Sequence, residues 1–180
     1  PTTLVIPNGV TSIADNAFQG CGNLISVNIT NSVTSIGNSA FSGTALTNVT
    51  MNANISFTKS LFGGCDSLTT LIIGDGVTSI ADNAFQSCGQ LTNVDLGNVK
   101  TIGNYAFQWC DALTNVVIPN SVETIGDDAF TALTKVTMNA ISFSKSNFGG
   151  CEKLTTLVIV NVTSIGPKAF QSCDQLTTLV

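Results

Sequence analysis

The chain has 180 residues, of which 43% are hydrophobic and only 9% are charged, and its formal net charge is −5. It contains no arginine and no histidine, and its lysines are scattered singly, which argues against the basic patch that nucleic-acid binding requires. No apolar run approaches the roughly 20 residues that a transmembrane helix needs. This composition favours one continuous core surrounded by neutral Thr, Ser and Asn side chains.

A repeat centred on phenylalanine covers the whole length of the chain. Its members are Phe18, Phe41, Phe62, Phe85, Phe107, Phe130, Phe148 and Phe170. They recur at a step of about 22 residues, and a period in this range is the signature of a solenoid built from stacked repeats. A cysteine follows three positions later in every repeat except those of Phe41 and Phe130, so the cysteines belong to the same pattern.

Within one repeat the elements follow in a fixed order, as residues 68–90 show. Residues 70–73 alternate between inward and outward side chains and predict a short strand. The sequence Gly-Asp-Gly at 74–76 predicts a turn, and residues 77–80 predict a second short extended segment. Asp82 then precedes a single helical or 3₁₀ turn, and we expect its carboxylate to cap that turn. Equivalent capping positions are held by Asp15 and Asp127.

The inward-facing positions predict a core made of stacked columns. The strand of each repeat supplies Val27/Ile29, Val49/Met51, Leu71/Ile73, Val94/Leu96, Val116/Ile118, Val136/Met138 or Leu157/Ile159. The second segment supplies Val10/Ile13, Val33/Ile36, Val77/Ile80, Val99/Ile102, Val122/Ile125 or Val162/Ile165. Two repeats deviate and carry Ile-Ser-Phe at 55–57 and 141–143, whose phenylalanines are also assigned to the core. No repeat can bury its apolar face alone, so neighbouring repeats must stack.

The motif Leu-x-x-Leu-x-Ile-Pro-x-x-Val-x-x-Ile-Gly-x-x-Ala-Phe-x-x-Cys runs through the chain. One repeat carries it at Leu113, Val116, Ile118, Pro119, Val122, Ile125, Gly126, Ala129 and Phe130. The motif resembles the BspA-like subclass of leucine-rich repeat proteins, and the resemblance covers essentially the whole chain. We therefore expect a β-rich α/β solenoid, a right-handed array of about eight repeats of about 22 residues. A parallel sheet should line one face, with short extended segments and 3₁₀ or helical turns elsewhere.

Both ends of the chain lie within a repeat, and neither resembles the polar capping repeat that closes the open end of a solenoid. Residues 1–180 are therefore predicted to be a single solenoid segment taken from a longer array. The first residue is Pro1 rather than Met, which fits an upstream segment that has been removed.

The six cysteines recur in register with the phenylalanines, which predicts a stacked column of buried free thiols. Neighbouring repeats would bring cysteines within disulfide range, but Cys21 has no cysteine in the next repeat, so pairing of neighbours cannot use all six. A metal site would lack histidine ligands and CxxC spacing. Acidic residues just after the cysteines form either a solvated turn edge or a divalent-cation site: Asp66, Asp111, Glu152 and Asp174. We expect no cofactor.

Tyr105 and Trp109 are the only tyrosine and the only tryptophan, and they flank Phe107. Two residues after the phenylalanine, where Trp109 stands, the other repeats have Gly, Ser or Ala. Aromatic side chains at such a place are typical binding anchors, so both are candidate partner-binding residues. The alternative is that Trp109 covers a groove on a neighbouring repeat.

Two outward-facing columns of the predicted sheet form a second candidate surface, because solenoids bind partners through such extended faces. The first column comprises Ser26, Asn48, Thr70, Asn93, Asn115, Lys135, Thr156 and Thr178. The second comprises Asn28, Thr50, Ile72, Asp95, Val117, Thr137, Val158 and Val180. The candidate contacts are Asn48, Thr70, Ile72, Asn93, Asp95, Asn115, Val117 and Lys135. The alternative is that Thr and Val here serve only β-strand propensity.

These observations favour a non-enzymatic binding or adhesion module over an enzyme, because His, Arg, a phosphate-binding loop and a grouped carboxylate pair are all absent from the sequence. The family resemblance implies a microbial cell-surface or secreted protein that contacts a host or microbial protein or glycan, without inserting this segment into a membrane. The alternative is a cytoplasmic protein-interaction scaffold, since a column of free thiols also suits a reducing compartment.

Overall fold

The computed structural model describes residues 3–51, 55–139, 142–143, 148 and 151–180. Within them the chain forms sixteen short strands joined by turns. In chain order these are β1 (Thr3–Val5), β2 (Ser12–Ile13), β3 (Ser26–Asn28), β4 (Ser35–Ile36), β5 (Asn48–Met51), β6 (Thr70–Ile73), β7 (Ser79–Ile80), β8 (Asn93–Asp95), β9 (Thr101–Ile102), β10 (Asn115–Ile118), β11 (Thr124–Ile125), β12 (Lys135–Met138), β13 (Ser142–Phe143), β14 (Thr156–Ile159), β15 (Ser164–Ile165) and β16 (Thr178–Leu179). Among these residues there is no helix that could cross a membrane.

Each turn of the solenoid is here called a rung. Its first strand joins a row of parallel strands that we call the first sheet, although hydrogen bonding divides this row into three groups. These strands form three hydrogen-bonded groups, in the orders β1–β3, β5–β6–β8 and β10–β12–β14–β16. The register aligns the inward residues of successive rungs, for example Val116 with Val136 and Val136 with Leu157. All three side chains are buried. The predicted inward ladder of the first sheet is thereby confirmed.

The second extended segment of each rung forms a narrower set of parallel strands. They form the groups β2–β4, β7–β9–β11 and β13–β15, in which neighbours in each order are hydrogen-bonded. Ile80, Ile102 and Ile125 align in this register and are buried, as predicted. Ile165 departs from the prediction, because its side chain is 52% exposed. Among the described strands β15 pairs only with β13, so a neighbouring strand covers Ile165 from one side only.

The repeat phenylalanines stack through the centre of the core. Successive rings lie 5.0 to 6.1 Å apart between centroids, with interplanar angles of 3° to 17°. Phe57, from a deviating repeat, packs its ring edge against Phe62 at 6.0 Å and Phe85 at 5.2 Å. These separations are in the range that favours aromatic pairs. Ile141 and the side chain of Phe143, predicted to belong to the core, lie outside the described part of the chain.

The segment around each repeat phenylalanine, here called the Phe turn, differs from the helical or 3₁₀ turn that we expected. In the described Phe turns the residues two before and two after the phenylalanine have positive φ, except Ala132, as Asn83 (59°) and Ser87 (62°) show around Phe85. Such left-handed residues interrupt a right-handed helix within one turn. The Phe85 N–H instead donates to the Ala106 carbonyl of the next rung, with N and O 2.8 Å apart. The Phe turns therefore form a third ladder of hydrogen bonds between rungs.

The predicted N-cap role is wrong for Asp15, Asp82 and Asp127, because none of them precedes a helix. A carboxylate oxygen of Asp82 accepts a hydrogen bond from the backbone N–H of Asn104 on the next rung at 2.7 Å. Asp15 accepts one from the N–H of Asn38 at 2.7 Å in the same way. These carboxylates therefore join neighbouring rungs instead of ending a helix.

Glycine follows the second strand of a rung where the preceding rung leaves no room for a Cβ atom. A Cβ atom at Gly103 would lie 2.5 Å from the backbone nitrogen of Asp82 and 2.6 Å from the carbonyl carbon of Ala81. A Cβ atom at Gly126 would meet the preceding rung at similar distances. Alanine occupies this position after β2 and β7, at Ala14 and Ala81. Each of these two strands is the first of its hydrogen-bonded group in chain order. The residue after the isoleucine is thus alanine where no earlier strand of the group packs against it, and glycine where an earlier strand does.

All six cysteines carry free thiols, and five of them form the predicted buried column: Cys65, Cys88, Cys110, Cys151 and Cys173. Each of the five donates a hydrogen bond to the carbonyl oxygen of the phenylalanine one rung earlier, with S···O distances of 2.6 to 3.2 Å. Thr44 replaces the missing cysteine after Phe41, is buried, and donates its hydroxyl to the Phe41 carbonyl. The cysteine column therefore favours a small side chain that can donate a hydrogen bond to a phenylalanine carbonyl. Cys21 departs from the prediction, because it is exposed.

Thiol alkylation should distinguish Cys21 from the buried column. Burial, and next the neighbouring Cys173 thiol, raise the pKa of Cys151 to about 12. A hydrogen bond with Cys88, and next burial, raise the pKa of Cys65 well above its usual value. Because the thiolate is the reactive form, we expect iodoacetamide at about pH 8 to modify only Cys21 in the folded protein.

Intact-mass spectrometry checks this expectation by counting adducts. The folded protein should carry one adduct, and the protein unfolded in guanidinium should carry six. Modification of several thiols in the folded protein, at the rate seen for the unfolded chain, would contradict the buried column.

Candidate functional site

A shallow groove of about 720 Å³ lies on the outward face of the first sheet, across β6, β8, β10 and β12. We call it the sheet groove. Its lining includes most of the residues predicted from the outward columns, namely Thr70, Ile72, Asn93, Asp95, Asn115, Val117 and Lys135. Asn48 lies outside it and lines a smaller cavity of about 550 Å³ together with Asn28 and Thr50. The structure therefore brings together seven of the eight candidate residues of this face.

The sheet groove combines apolar and charged side chains within a few strands. Ile72 and Val117 are 43% and 55% exposed, and they form the apolar part of the surface. Asp95 lies next to Ile72 in the register of β6 and β8. Lys135 lies next to Asn115 in the register of β10 and β12. The groove thus offers aliphatic contacts, amides, one carboxylate and one ammonium group to a ligand.

The sheet groove crosses a seam in the sheet, which we define as the boundary between β8 and β10. Each of these strands pairs with its outer neighbour, but no backbone hydrogen bond among the described residues joins β8 to β10. A second seam lies between β3 and β5, and the smaller cavity lies there. Both cavities therefore coincide with places where the strands of consecutive rungs do not pair.

Tyr105 and Trp109 project from the Phe turn of Phe107 and do not line the sheet groove. Their φ angles are 58° and 59°, and their side chains are 38% and 57% exposed. An L-residue in this left-handed region costs roughly 1–2 kcal/mol, and a bulky one there is a genuine outlier. Because more than half of the Trp109 side chain is exposed to solvent, its hydrophobic burial offsets little of this conformational cost.

A chain of side-chain amides runs beside these two aromatic residues. Asn83 Nδ2 donates to Gln86 Oε1 at 3.0 Å, and Gln86 Nε2 donates to Gln108 Oε1 at 2.7 Å. Gln108 stands between Tyr105 and Trp109 in the sequence, and its own Nε2 group has no acceptor among the described residues. We call Tyr105, Gln108 and Trp109 the aromatic edge.

A ladder of threonines, which was not predicted from the sequence, lies at the start of the strands of the first sheet. The hydroxyl of Thr69 donates to the Thr47 carbonyl at 3.1 Å, and that of Thr92 donates to the Thr69 carbonyl at 3.2 Å. The same bond recurs in later rungs at Thr134, Thr155 and Thr177. The sequence does carry a pattern that could have predicted this ladder, because a Leu-Thr pair precedes each of these strands. Within the described residues the ladder is interrupted between Thr92 and Thr114, which is the seam beneath the sheet groove.

The acidic residues that follow the cysteine column are all exposed: Asp66, Asp111, Glu152 and Asp174. Within the part of the chain that the structure describes, no three His, Cys, Asp or Glu side chains lie close enough to hold a metal ion. Their exposure places these acids in contact with solvent.

Parallel strands, one from each rung, over columns of buried Leu, Ile, Val and Phe define a leucine-rich repeat solenoid. A family model described as the BspA type leucine rich repeat region matches residues 2–110 and 100–180, in six copies. The chain belongs to the BspA-type leucine-rich repeat family, as its motif indicated. No curated protein matches the chain.

Several solved structures share the fold. A leucine rich repeat protein of T. pallidum is 28% identical with a TM-score of 0.65, and the match covers 98% of this chain and 78% of that one. A leucine rich cell surface protein of Faecalibacterium prausnitzii is 27% identical with a TM-score of 0.65, and the match covers 99% of this chain and 60% of that one. The pneumococcal vaccine antigen PcpA is 16% identical with a TM-score of 0.55 over 99% of this chain and 62% of its own, and this likeness concerns the fold alone.

Proposed function

We propose that this chain is a non-enzymatic binding module of a microbial cell-surface or secreted protein, and that its sheet groove contacts a host or microbial protein. The observation that carries the proposal is the sheet groove itself, an open concavity on the extended face that solenoids use for partners.

The chemistry of the sheet groove favours a protein ligand over a glycan. Ile72 and Val117 are exposed aliphatic groups, and their burial against apolar side chains of a partner is favourable. Asp95 and Lys135 place one charge of each sign in the same groove, which orients a partner of complementary charge. A glycan offers neither aliphatic side chains nor a pair of opposite charges, so it uses this surface poorly.

The proposed location rests on the family and on one neighbour. The F. prausnitzii structure is described as a cell surface protein and has the same fold at 27% identity. A module exposed in this way meets host cells, matrix proteins and other microbes, which makes adhesion the activity that we assign to it.

Charge substitution in the sheet groove tests the proposal. The fluorescently labelled protein is applied to cultured epithelial cells, to microbial cells and to surfaces coated with collagen, fibronectin or laminin. Where binding is found, Val117→Lys should weaken it about 10-fold or more, because an ammonium group replaces an apolar contact at the centre of the groove.

Val5→Lys provides the matched control. Val5 is 62% exposed in β1, on the same outward face, but lies outside the groove. This variant should bind like the parent protein. The proposal fails if no cell or protein surface retains the parent chain, or if the Val117 and Val5 variants lose binding equally.

A further inference from the structure

Among the Phe turns that the structure describes, only the turn of the aromatic edge carries large side chains at both of its left-handed positions. In the other described rungs the residue two after the phenylalanine is Gly or Ser where its φ is positive, as at Gly64 and Ser87. Two positions before the phenylalanine, Asn or Ser predominates, as at Asn83. The fold therefore needs neither Tyr105 nor Trp109. Strained residues that the fold does not need are a reason to look for a function.

We propose that the aromatic edge is a second binding site, separate from the sheet groove, and that its ligand is a neutral saccharide. The site, here called the platform, comprises the exposed side chains of Tyr105 and Trp109 and the amide of Gln108, which lies between them in the sequence. The proposal does not require the sheet groove to bind a protein.

The chemistry of the platform matches that of a pyranose ring. One face of such a ring carries C–H groups, which pack against the exposed face of an indole or phenol. Its hydroxyl groups accept and donate hydrogen bonds at the ring's perimeter, and the free Nε2 group of Gln108 supplies two donors there. Gln108 Oε1 is held by Gln86, which orients the amide before a ligand arrives. A preoriented amide reduces the entropic cost of binding.

The surrounding charge selects a neutral ligand. Asp111 follows Trp109 by two residues, and Asp128 occupies on the next rung the position that Tyr105 holds. The whole chain carries a formal net charge of −5 and no arginine. Sulfated or sialylated sugars and nucleotides would be repelled, whereas the two carboxylates can accept hydrogen bonds from neutral hydroxyl groups.

The single tryptophan of the chain provides a direct reporter, because all indole fluorescence comes from Trp109. Maltohexaose, cellohexaose, mannohexaose and chitohexaose are titrated separately into the full chain. We expect at least one of them to shift and quench the tryptophan emission until the signal saturates. The dissociation constant should lie in the high micromolar to millimolar range, which corresponds to a binding free energy of about 4–6 kcal/mol. Tyr105→Asn and Gln108→Ala should each weaken that binding about 10-fold.

Trp109→Gly must be measured by calorimetry, because it removes the fluorophore. It restores the glycine that other Phe turns carry, so its melting temperature should equal or exceed that of the parent while saccharide binding is lost. Val117→Lys, in the sheet groove, should keep full saccharide binding.

Three outcomes would overturn the proposal. The first is that none of the four saccharides changes the tryptophan emission. The second is that Trp109→Gly binds the saccharide like the parent. The third is that Trp109→Gly abolishes capture of a protein ligand and no saccharide competes, which would assign the aromatic edge to a protein partner. Loss of saccharide binding with retained protein capture would leave the proposed function of the sheet groove intact.

Discussion

Replacing Phe85 with alanine should lower the free energy of unfolding by about 5 kcal/mol, at the upper end of the range for a buried phenylalanine. The ring is fully buried and contacts three others: it stacks on Phe62 and Phe107 at 5.5 and 5.2 Å and receives the edge of Phe57 at 5.2 Å. Its removal leaves a cavity between two rungs that the extended sheets cannot close. Urea denaturation followed by far-ultraviolet circular dichroism measures the loss.

The effect should reach beyond the substituted rung, because the stability of a solenoid depends on the interfaces between neighbours. Weakening the central interface should let the two halves unfold separately, which broadens the transition and lowers its apparent denaturant dependence. Phe18→Ala is the matched control. Phe18 is only partly buried and stacks on one ring, Phe41 at 5.3 Å, so about 2 kcal/mol is expected. Equal losses for the two variants would contradict a continuous ring column.

Gly103→Ala should lower the free energy of unfolding by about 3 kcal/mol, a large effect for a single added methyl group. The added Cβ would lie 2.5 Å from a backbone nitrogen of the preceding rung, and main chain cannot move aside as a flexible side chain can. The two rungs must separate, which stretches the hydrogen bond between the Gly103 N–H and the Ile80 carbonyl, 2.8 Å in the structure.

Gly89→Ala is the matched control for the methyl group itself. A Cβ at Gly89 would meet no atom within 4 Å, so the melting temperature should change little. Differential scanning calorimetry measures the melting temperatures of both variants. If Gly103→Ala melts within a degree or two of Gly89→Ala, the close approach of the rungs does not limit stability.

The sequence analysis predicted the solenoid correctly because the same inward chemistry recurs along the whole chain. One misplaced residue, such as exposed Ile165, does not disturb a pattern that is repeated in every rung. Local conformation was less predictable. The segment after Asp82 was predicted to be a capped helical or 3₁₀ turn, whereas its Asn83 and Ser87 are left-handed residues of tight turns. Asn and Ser are common in both settings, so residue type alone does not separate them.

Much of the candidate site was also present in the sequence, since strand alternation identifies the side chains that face outward. Ile72, Asp95 and Val117 were recognised in this way and line the sheet groove. The extent of the groove was not predictable, because Asn48 shares the same column and yet lies in a different cavity. The two cavities are separate because the seams fall at different rungs.

The sequence by itself determined the family, the parallel stacking, the aromatic and thiol columns and the residues that face outward. These properties depend on which side chains recur, and recurrence is visible in one dimension. Only the tertiary structure decided where consecutive strands fail to pair and which turns of the chain carry strained, exposed aromatic residues. Hydrogen bonding between rungs depends on the relative position of two backbones to within a fraction of an ångström, and burial depends on neighbours about 22 residues away.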